Sequence, residues 1–481
     1  MSNKNLKNKE LLKDYLEIFK SNTFKVIYLI LGFTILLTFT TKADFLIKTD
    51  KAGYIDALNL LASLLATIVA TVYSITIVAL QLASTQFSPR ILRYFLSHSL
   101  YNQITLGAFL GWVLYCLLLK FWLIDAIPPE QSFIPNSMKP ILNLAIYGGI
   151  GLIGIVLPHF IISIAESINA ASITRKIALN TFDTIYQMKD SWKKQEEVKI
   201  LPEQAKNRIL AQEMGYLRAI KTKKLKKLTE IYPEIAFIEQ ANDIGSFIHK
   251  NIEIAYIAYN VPSKRQTEIE QQIYQQFSIG KFRNPQQDIH FGLRQLVDIA
   301  LKAISPAIND PTTAVNCLDY LAEIISVAME ANIPATRFTK IQDTPIYLRE
   351  VCLEKVVNQA FDQIYHYGKS DFAVMIRLTD VLQKNIQLAR RTEYVDIFRY
   401  ELSEIALDFL YQYQLGNLKH LHSQEQLLRI FGNIVEGLDS IKIQYKHLED
   451  DSYTNEASFL SLEKKYKEQI ELLQAAKQTL I

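Results

Sequence analysis

The first third of the chain carries four long apolar stretches, and the remainder alternates apolar and polar positions with the period of a helix or a strand. A helix rises about 1.5 Å per residue against roughly 30 Å of hydrocarbon, so about 20 apolar residues make one crossing of a bilayer. On that measure the pattern predicts transmembrane helices over residues 26–41, 57–89, 93–124 and 140–165. The first is short, but Lys25 and Lys42 flank it with stems long enough to reach the interface. The second holds no charge in 33 residues, enough to cross and to project a turn or two beyond. Trp122 lies near the end of the third, where an amphipathic ring favours the boundary between membrane and water.

Short loops set orientation through their Lys and Arg content. The segment 1–25 has six lysines, and the second loop has Arg90 and Arg93 without an acid, so both are expected in the cytoplasm. The first loop balances Lys48 and Lys51 against Asp44, Asp50 and Asp56, and the third holds Asp125, Glu130 and Lys139, so both are expected outside. The expectation is a multi-pass protein of the bacterial inner membrane with both termini cytoplasmic. No small-residue cleavage site follows the first apolar run, which is therefore expected to remain as a span.

Polar residues in the second span fall on one side. At about 100° per residue, and with Asn59 as zero, Ser63, Thr67, Thr71, Ser74, Gln81 and Thr85 lie at roughly 40, 80, 120, 60, 40 and 80°. Leu61, Leu64, Leu65, Ile68, Val72, Ile75 and Leu82 form the opposite face. Lipid supplies no partners to such a seam, so it is expected to face protein or water. Two readings follow. In one, the hydroxyls bond back to carbonyls a turn earlier and are buried within the four-helix unit. In the other, copies of this helix surround an axis and line an aqueous path, with Val78 as an apolar gate and Arg90 and Arg93 enriching anions at the cytoplasmic mouth.

Small residues mark close packing, since lipid offers no hydrophobic drive for helices to associate. Gly107 and Gly111 form a GxxxG in the third span, and Gly148, Gly149, Gly151 and Gly154 crowd the fourth. They serve either packing within one protomer or contacts between copies. In the fourth span Pro158 precedes His159, with Glu166 nearby, which reads as a kink ahead of a proton relay.

After residue 166 the pattern predicts a helical stalk over 167–213, a small β subdomain over 214–262 and a helical domain over 263–481. The segments MGYLRAIK, EIAFIEQ and IEIAYIAY have the β-branched and aromatic content of short strands. A basic run of Lys221, Lys223, Lys224, Lys226 and Lys227 reads as a solvated helix face or as a contact with anionic lipid heads. Near the end, Leu462, Tyr466, Ile470, Leu473 and Leu480 repeat at helical spacing. Residues 290–324 read as two helices around a tight loop. There Asp310 and Pro311 have the form of an N-cap and a first helical proline, and Asn309, Asp310, Thr312 and Thr313 make a donor-rich turn. Capping explains it, and so does an anion or ligand held on free amides. The fold class is thus a membrane all-α part of four transmembrane helices followed by a mostly α-helical cytoplasmic domain with a small β subdomain (α+β).

Composition narrows function by exclusion. The 52 basic and 49 acidic residues leave a net charge of +3, which speaks against a dedicated nucleic-acid binder. Cys116, Cys317 and Cys352 lie far apart, supporting neither a disulfide framework nor a zinc site. Motifs for zinc hydrolysis, phosphate loops, dinucleotides and nucleophile elbows are absent, so no catalytic residue, metal or cofactor is expected. His420 and His422 read as surface.

The chain resembles the bacterial predicted membrane proteins called the domain of unknown function 2254 family. The resemblance rests on VYSITIVALQLASTQFSPRIL at 72–92, LGAFLGWVLYCLL at 106–118, GYLRAI at 215–220 and HFGLRQLVDIALKAISPAINDPTTAVNCLD at 290–319. That family usually has a glycine where this chain has Ala307 and a glycine-bearing turn where Asn251 stands, so loop geometry is not carried over there. It implies a membrane protein with an N-terminal multi-span region and no established activity. The residues themselves favour a homo-oligomeric channel for ions or small solutes, gated by its cytoplasmic domain. The competing expectation is a membrane-anchored sensor or scaffold.

Overall fold

The computed structural model describes residues 50–86, 100–128, 131–158, 160–162, 169–202, 206–261, 264–284, 287–418, 423–448 and 457–478. The predicted span 26–41, the tail before it, Arg90, Arg93, His159, Glu166, His420 and His422 lie outside these residues. The chain divides near residue 172 into two compact units.

Three described helices of the first unit are long and apolar enough to cross a membrane: α1 (Lys51–Gln86), α2 (Leu100–Ala126) and α3 (Lys139–Gly151), the last continuing to Ile162. Their shared core joins Tyr54, Leu58, Leu61 and Leu65 of α1 to Phe109, Cys116 and Leu123 of α2 and to Leu142, Ala145 and Ile146 of α3. Two glycines make the approach possible. A Cβ at Gly149 would stand 2.5 Å from Leu61, and one at Gly148 would stand 2.4 Å from Trp112, whose indole donates to the Ala145 carbonyl at 2.8 Å. These two glycines pack within the protomer, whereas Gly107, Gly111 and Gly151 meet nothing within 4 Å. The Lys51 ammonium donates to the Ile127 carbonyl just beyond α2, a favourable place for a cation because the helix dipole ends negative there. Tyr54 donates to Asn143 at 2.8 Å and ties α1 to α3. Beyond Gly151 the helix widens into a π turn over Leu152–Val156, ahead of Pro158, whose missing amide cannot continue the ordinary ladder.

The second unit opens on α4 (Ala170–Trp192). The helical stalk expected over 167–213 stops there: β1 (Gln195–Val198) and β2 (Asn207–Leu210) occupy its second half. Neither stretch carries a strand-like sequence. β1 exists because it pairs with β8 (Phe338–Ile341), and because the Glu197 carboxylate accepts the Ala335 and Thr336 amides at 3.1 and 3.0 Å. Tertiary pairing overrides local preference in both strands.

Next come β3 (Gly215–Ile220), α5 (Thr222–Ile231), β4 (Ile235–Gln240), β5 (Phe247–Ile248), β6 (Glu253–Tyr259), α6 (Gln266–Tyr274) and β7 (Phe277–Gly280). Setting β5 aside, this is the order of a split βαβ unit, with its sheet opened between β3 and β6. One sheet runs β1-β8-β9-β4-β6-β2, with β9 at Ile346–Arg349, and the other runs β5-β3-β7. The β region therefore draws strands from 195 to 349, beyond the 214–262 expected, because β7, β8 and β9 are short and interrupt segments of helical period. Its core packs Leu225 and Leu228 of α5 and Ile269 and Ile273 of α6 against Leu217, Ile254 and Ile257. Asn251 takes φ +66, the left-handed turn where the family's glycine was expected. Asparagine is among the few residues that tolerate it.

The rest is helical: α7 (Ile289–Ala303), α8 (Pro311–Glu330), α9 (Leu353–Gly368), α10 (Phe372–Leu388), α11 (Thr392–Gln414), α12 (Gln424–His447) and α13 (Ala457–Gln478). Phe431 of α12 sits at the centre, with Phe409, Tyr413 and Tyr466 edge-on at 5.7, 5.2 and 5.3 Å. Gly292 brings α7 onto α4, since a Cβ there would lie 2.0 Å from Thr181 Oγ1.

Candidate functional site

Among the described residues, the polar seam of α1 is not covered by α2 or α3. The buried side chains Tyr54, Leu58, Leu61, Leu65 and Val72 lie at about 200–260° on the scale that places the seam at 40–120°, so the two sectors stand roughly 150° apart. Ser63, Thr67, Thr71, Ser74, Gln81 and Thr85 are exposed, as is Val78 at 54%, and Asn59 is half-buried. Among the described residues the seam is uncovered, and so are Leu64, Ile75 and Leu82 of the opposite face. Its hydroxyls are nevertheless satisfied. Ser63 donates to the Leu60 carbonyl at 2.9 Å, Thr67 to Ser63 at 2.8 Å, Thr71 to Thr67 at 2.9 Å, Ser74 to Ala70 at 2.9 Å and Thr85 to Leu82 at 2.9 Å. Back-bonding of this kind leaves each hydroxyl oxygen with acceptor capacity turned outward. The amides of Asn59 and Gln81 carry more donors and acceptors than one helix can satisfy.

The 36 residues of α1 extend about 54 Å, roughly 24 Å more than the hydrocarbon of a bilayer. Lys51 is held against the end of α2.

The turn at Asn309, Asp310, Thr312 and Thr313 is built as a cap. Asp310 Oδ1 accepts the Thr313 amide at 3.1 Å and Oδ2 accepts its hydroxyl at 2.5 Å, while the Asp310 amide donates to the Ala303 carbonyl at 2.9 Å. Asn309 takes φ +50, and Asn309 and Thr312 are exposed. A carboxylate thus stands where a bound anion would use the amides. On α7, Arg294 and Asp298 form an i,i+4 ion pair, 2.7 Å apart.

A third feature escapes the sequence. Between α9 and α11 lies a groove of about 620 Å³ lined by Asn358, Asp362 and His366 on one side and by Tyr400, Glu401, Glu404 and Asp408 on the other. Glu401 is only 6% exposed. Burial, then the facing charge and hydrogen bond of Asp362, push its carboxyl up to about 8. Burial also raises Asp362, so the two carboxyls share a proton. Asp408 behaves oppositely: burial alone would raise it, but hydrogen bonds from Lys369 at 2.9 Å, Tyr365 at 2.8 Å and Gln412 hold it below the ordinary carboxylate range. Glu401, Glu404 and Asp408 follow one another at helical spacing, a visible acidic stripe. That Asp362 faces it depends on two helices meeting, which spacing alone does not state. Among the described residues no group of three His, Cys, Asp or Glu is placed to hold a metal ion.

The model of a family described as predicted membrane proteins, domain of unknown function 2254, matches residues 21–384. Uncharacterized proteins of Mycobacterium bovis (Mb1321c) and Mycobacterium tuberculosis (Rv1290c) are each 28% identical over 339 residues, 68% of this chain. The match covers 63% of those relatives' own length. No solved structure matches.

Proposed function

We propose, from the premise that this chain belongs to the domain of unknown function 2254 family of predicted membrane proteins, that it is a homo-oligomeric channel for ions or small solutes in the bacterial inner membrane, with α1 lining the path. The supporting observation is the seam of Ser63, Thr67, Thr71 and Ser74, exposed among the described residues while α1 packs on α2 and α3 through Leu58, Leu61 and Leu65. Copies of α1 around an axis would turn these oxygens toward water and leave α2 and α3 to lipid. Val78 closes the path near the mouth by an apolar ring, and the second unit, cytoplasmic by the lysine and arginine of the short loops, gates it. Arg90 and Arg93 set the local charge at that mouth. The reading assigns no catalytic step.

Cysteine replacement tests it. All three native cysteines are buried, so Thr67→Cys, Thr71→Cys and Ser74→Cys in reconstituted protein report on their own surroundings. A water-soluble thiol reagent should label all three and leave Leu110→Cys and Leu118→Cys, exposed apolar positions on α2, unlabelled. Protection of the three seam positions would favour the second reading, a membrane-anchored sensor or scaffold, for which the groove between α9 and α11 is the supporting feature.

A further inference from the structure

Helix α5 presents an unpaired basic face. Its buried side is Leu225 and Leu228, packed into the β core. On the outer side Lys223, Lys224 and Lys227 are exposed, together with Lys221 just before the helix. Among the described residues none of these four lysines forms an ion pair, in a unit where the acids of neighbouring elements find partners: Glu234 with Arg265, Glu253 with Arg208 and Glu239 with Lys206. At about 100° per residue, Lys223, Lys227, Ile231 and Lys224 fall within one sector roughly 100° wide. Ile231 is 60% exposed there. Glu230, also exposed and the one acid of the helix, borders this sector about 20° from Lys223.

Unpaired lysines around one exposed branched apolar side chain suit a surface that is anionic and has hydrocarbon just beneath. Lysine stems reach out to headgroups while the apolar residue enters between them. A polyanion in solution would satisfy the lysines but leave Ile231 in water. The chain is itself a membrane protein, so docking needs no encounter from free solution. We infer that the Lys223, Lys224 and Lys227 face of α5 docks on anionic lipid headgroups, with Ile231 inserted among them. This goes beyond the channel reading and does not depend on it.

Each lysine at an anionic surface favours association by about fivefold, so three together give on the order of a hundredfold. The test is lysine acetylation followed by mass spectrometry on the intact chain in three settings: detergent, nanodiscs of phosphatidylcholine, and nanodiscs containing phosphatidylglycerol. Acetylation of Lys223, Lys224 and Lys227 should fall at least about fivefold only in the anionic discs. High salt should restore it, and Lys464, whose side chain is 79% exposed on α13, should not change. A second readout is an environment-sensitive fluorophore on Ile231→Cys. Its emission should shift to the blue in anionic discs and lose that shift when Lys223→Gln, Lys224→Gln and Lys227→Gln are added. Equal acetylation in both kinds of disc overturns the inference, and so does protection already present in detergent, which would mean that protein covers the face.

Discussion

Polar groups are handled in opposite ways by the helices of the two units. Along α1 the hydroxyls are exposed and bond to their own helix, so no neighbouring helix depends on them. Between α9 and α11 the carboxyls of Asp362 and Glu401 are drawn from different helices, and Glu401 is buried. A self-satisfied hydroxyl leaves the fold of the protomer unaffected and remains free to meet water or another copy. A shared proton between helices is part of the packing, and its loss is felt by the fold.

Substitutions that break this contrast can be ordered by size. The largest expected effect lies in the second unit: Phe431→Ala removes the ring around which Phe409, Tyr413 and Tyr466 are arranged and should cost about 3–5 kcal/mol in denaturant unfolding. Gly292→Ala forces a methyl against Thr181 Oγ1 and should cost about 1–3 kcal/mol by the same measurement.

Next comes pH. Glu401 binds its proton more tightly folded than unfolded, so the pair contributes fully below the ordinary carboxylate range and loses that contribution as pH rises toward about 8. Melting temperature of the second unit should therefore fall across that window, and Glu401→Gln should flatten the profile. A profile as steep in the variant as in the wild type would remove the shared proton from the account.

The smallest effect on folding belongs to α1. Thr67→Val and Thr71→Val should change protomer stability by less than about 0.5 kcal/mol, because each hydroxyl bonds only within its helix. Conductance should nevertheless fall, which separates a role between copies from a role in folding. Val78→Ser should act in the other direction, raising the open fraction in single-channel records by wetting the apolar ring.

The long apolar helices α1, α2 and α3 were legible because hydropathy is a local property, and the polar sector of α1 was legible because 100° per residue is fixed by the helix. Strands β3, β4 and β6 coincide with the segments GYLRAI, IAFIEQ and EIAYIAY, whose β-branched and aromatic residues announce them. What escaped was non-local. β1, with the sequence QEEV, is a strand only because β8 offers a partner more than a hundred residues away. Asp362 and Glu401 become a pair only because α9 and α11 meet. The direction of the α1 seam also needed the structure, since the periodicity gives the width of a polar sector but not which sector the protomer buries.

Single-channel recording of Thr71→Cys in planar bilayers, before and after a charged water-soluble thiol reagent, tests the central claim most directly. If copies of α1 line the path, current should be present and should drop in steps as each copy reacts, while wild-type current is unchanged. Current that ignores the reagent, or reconstituted protein that passes none, would contradict it.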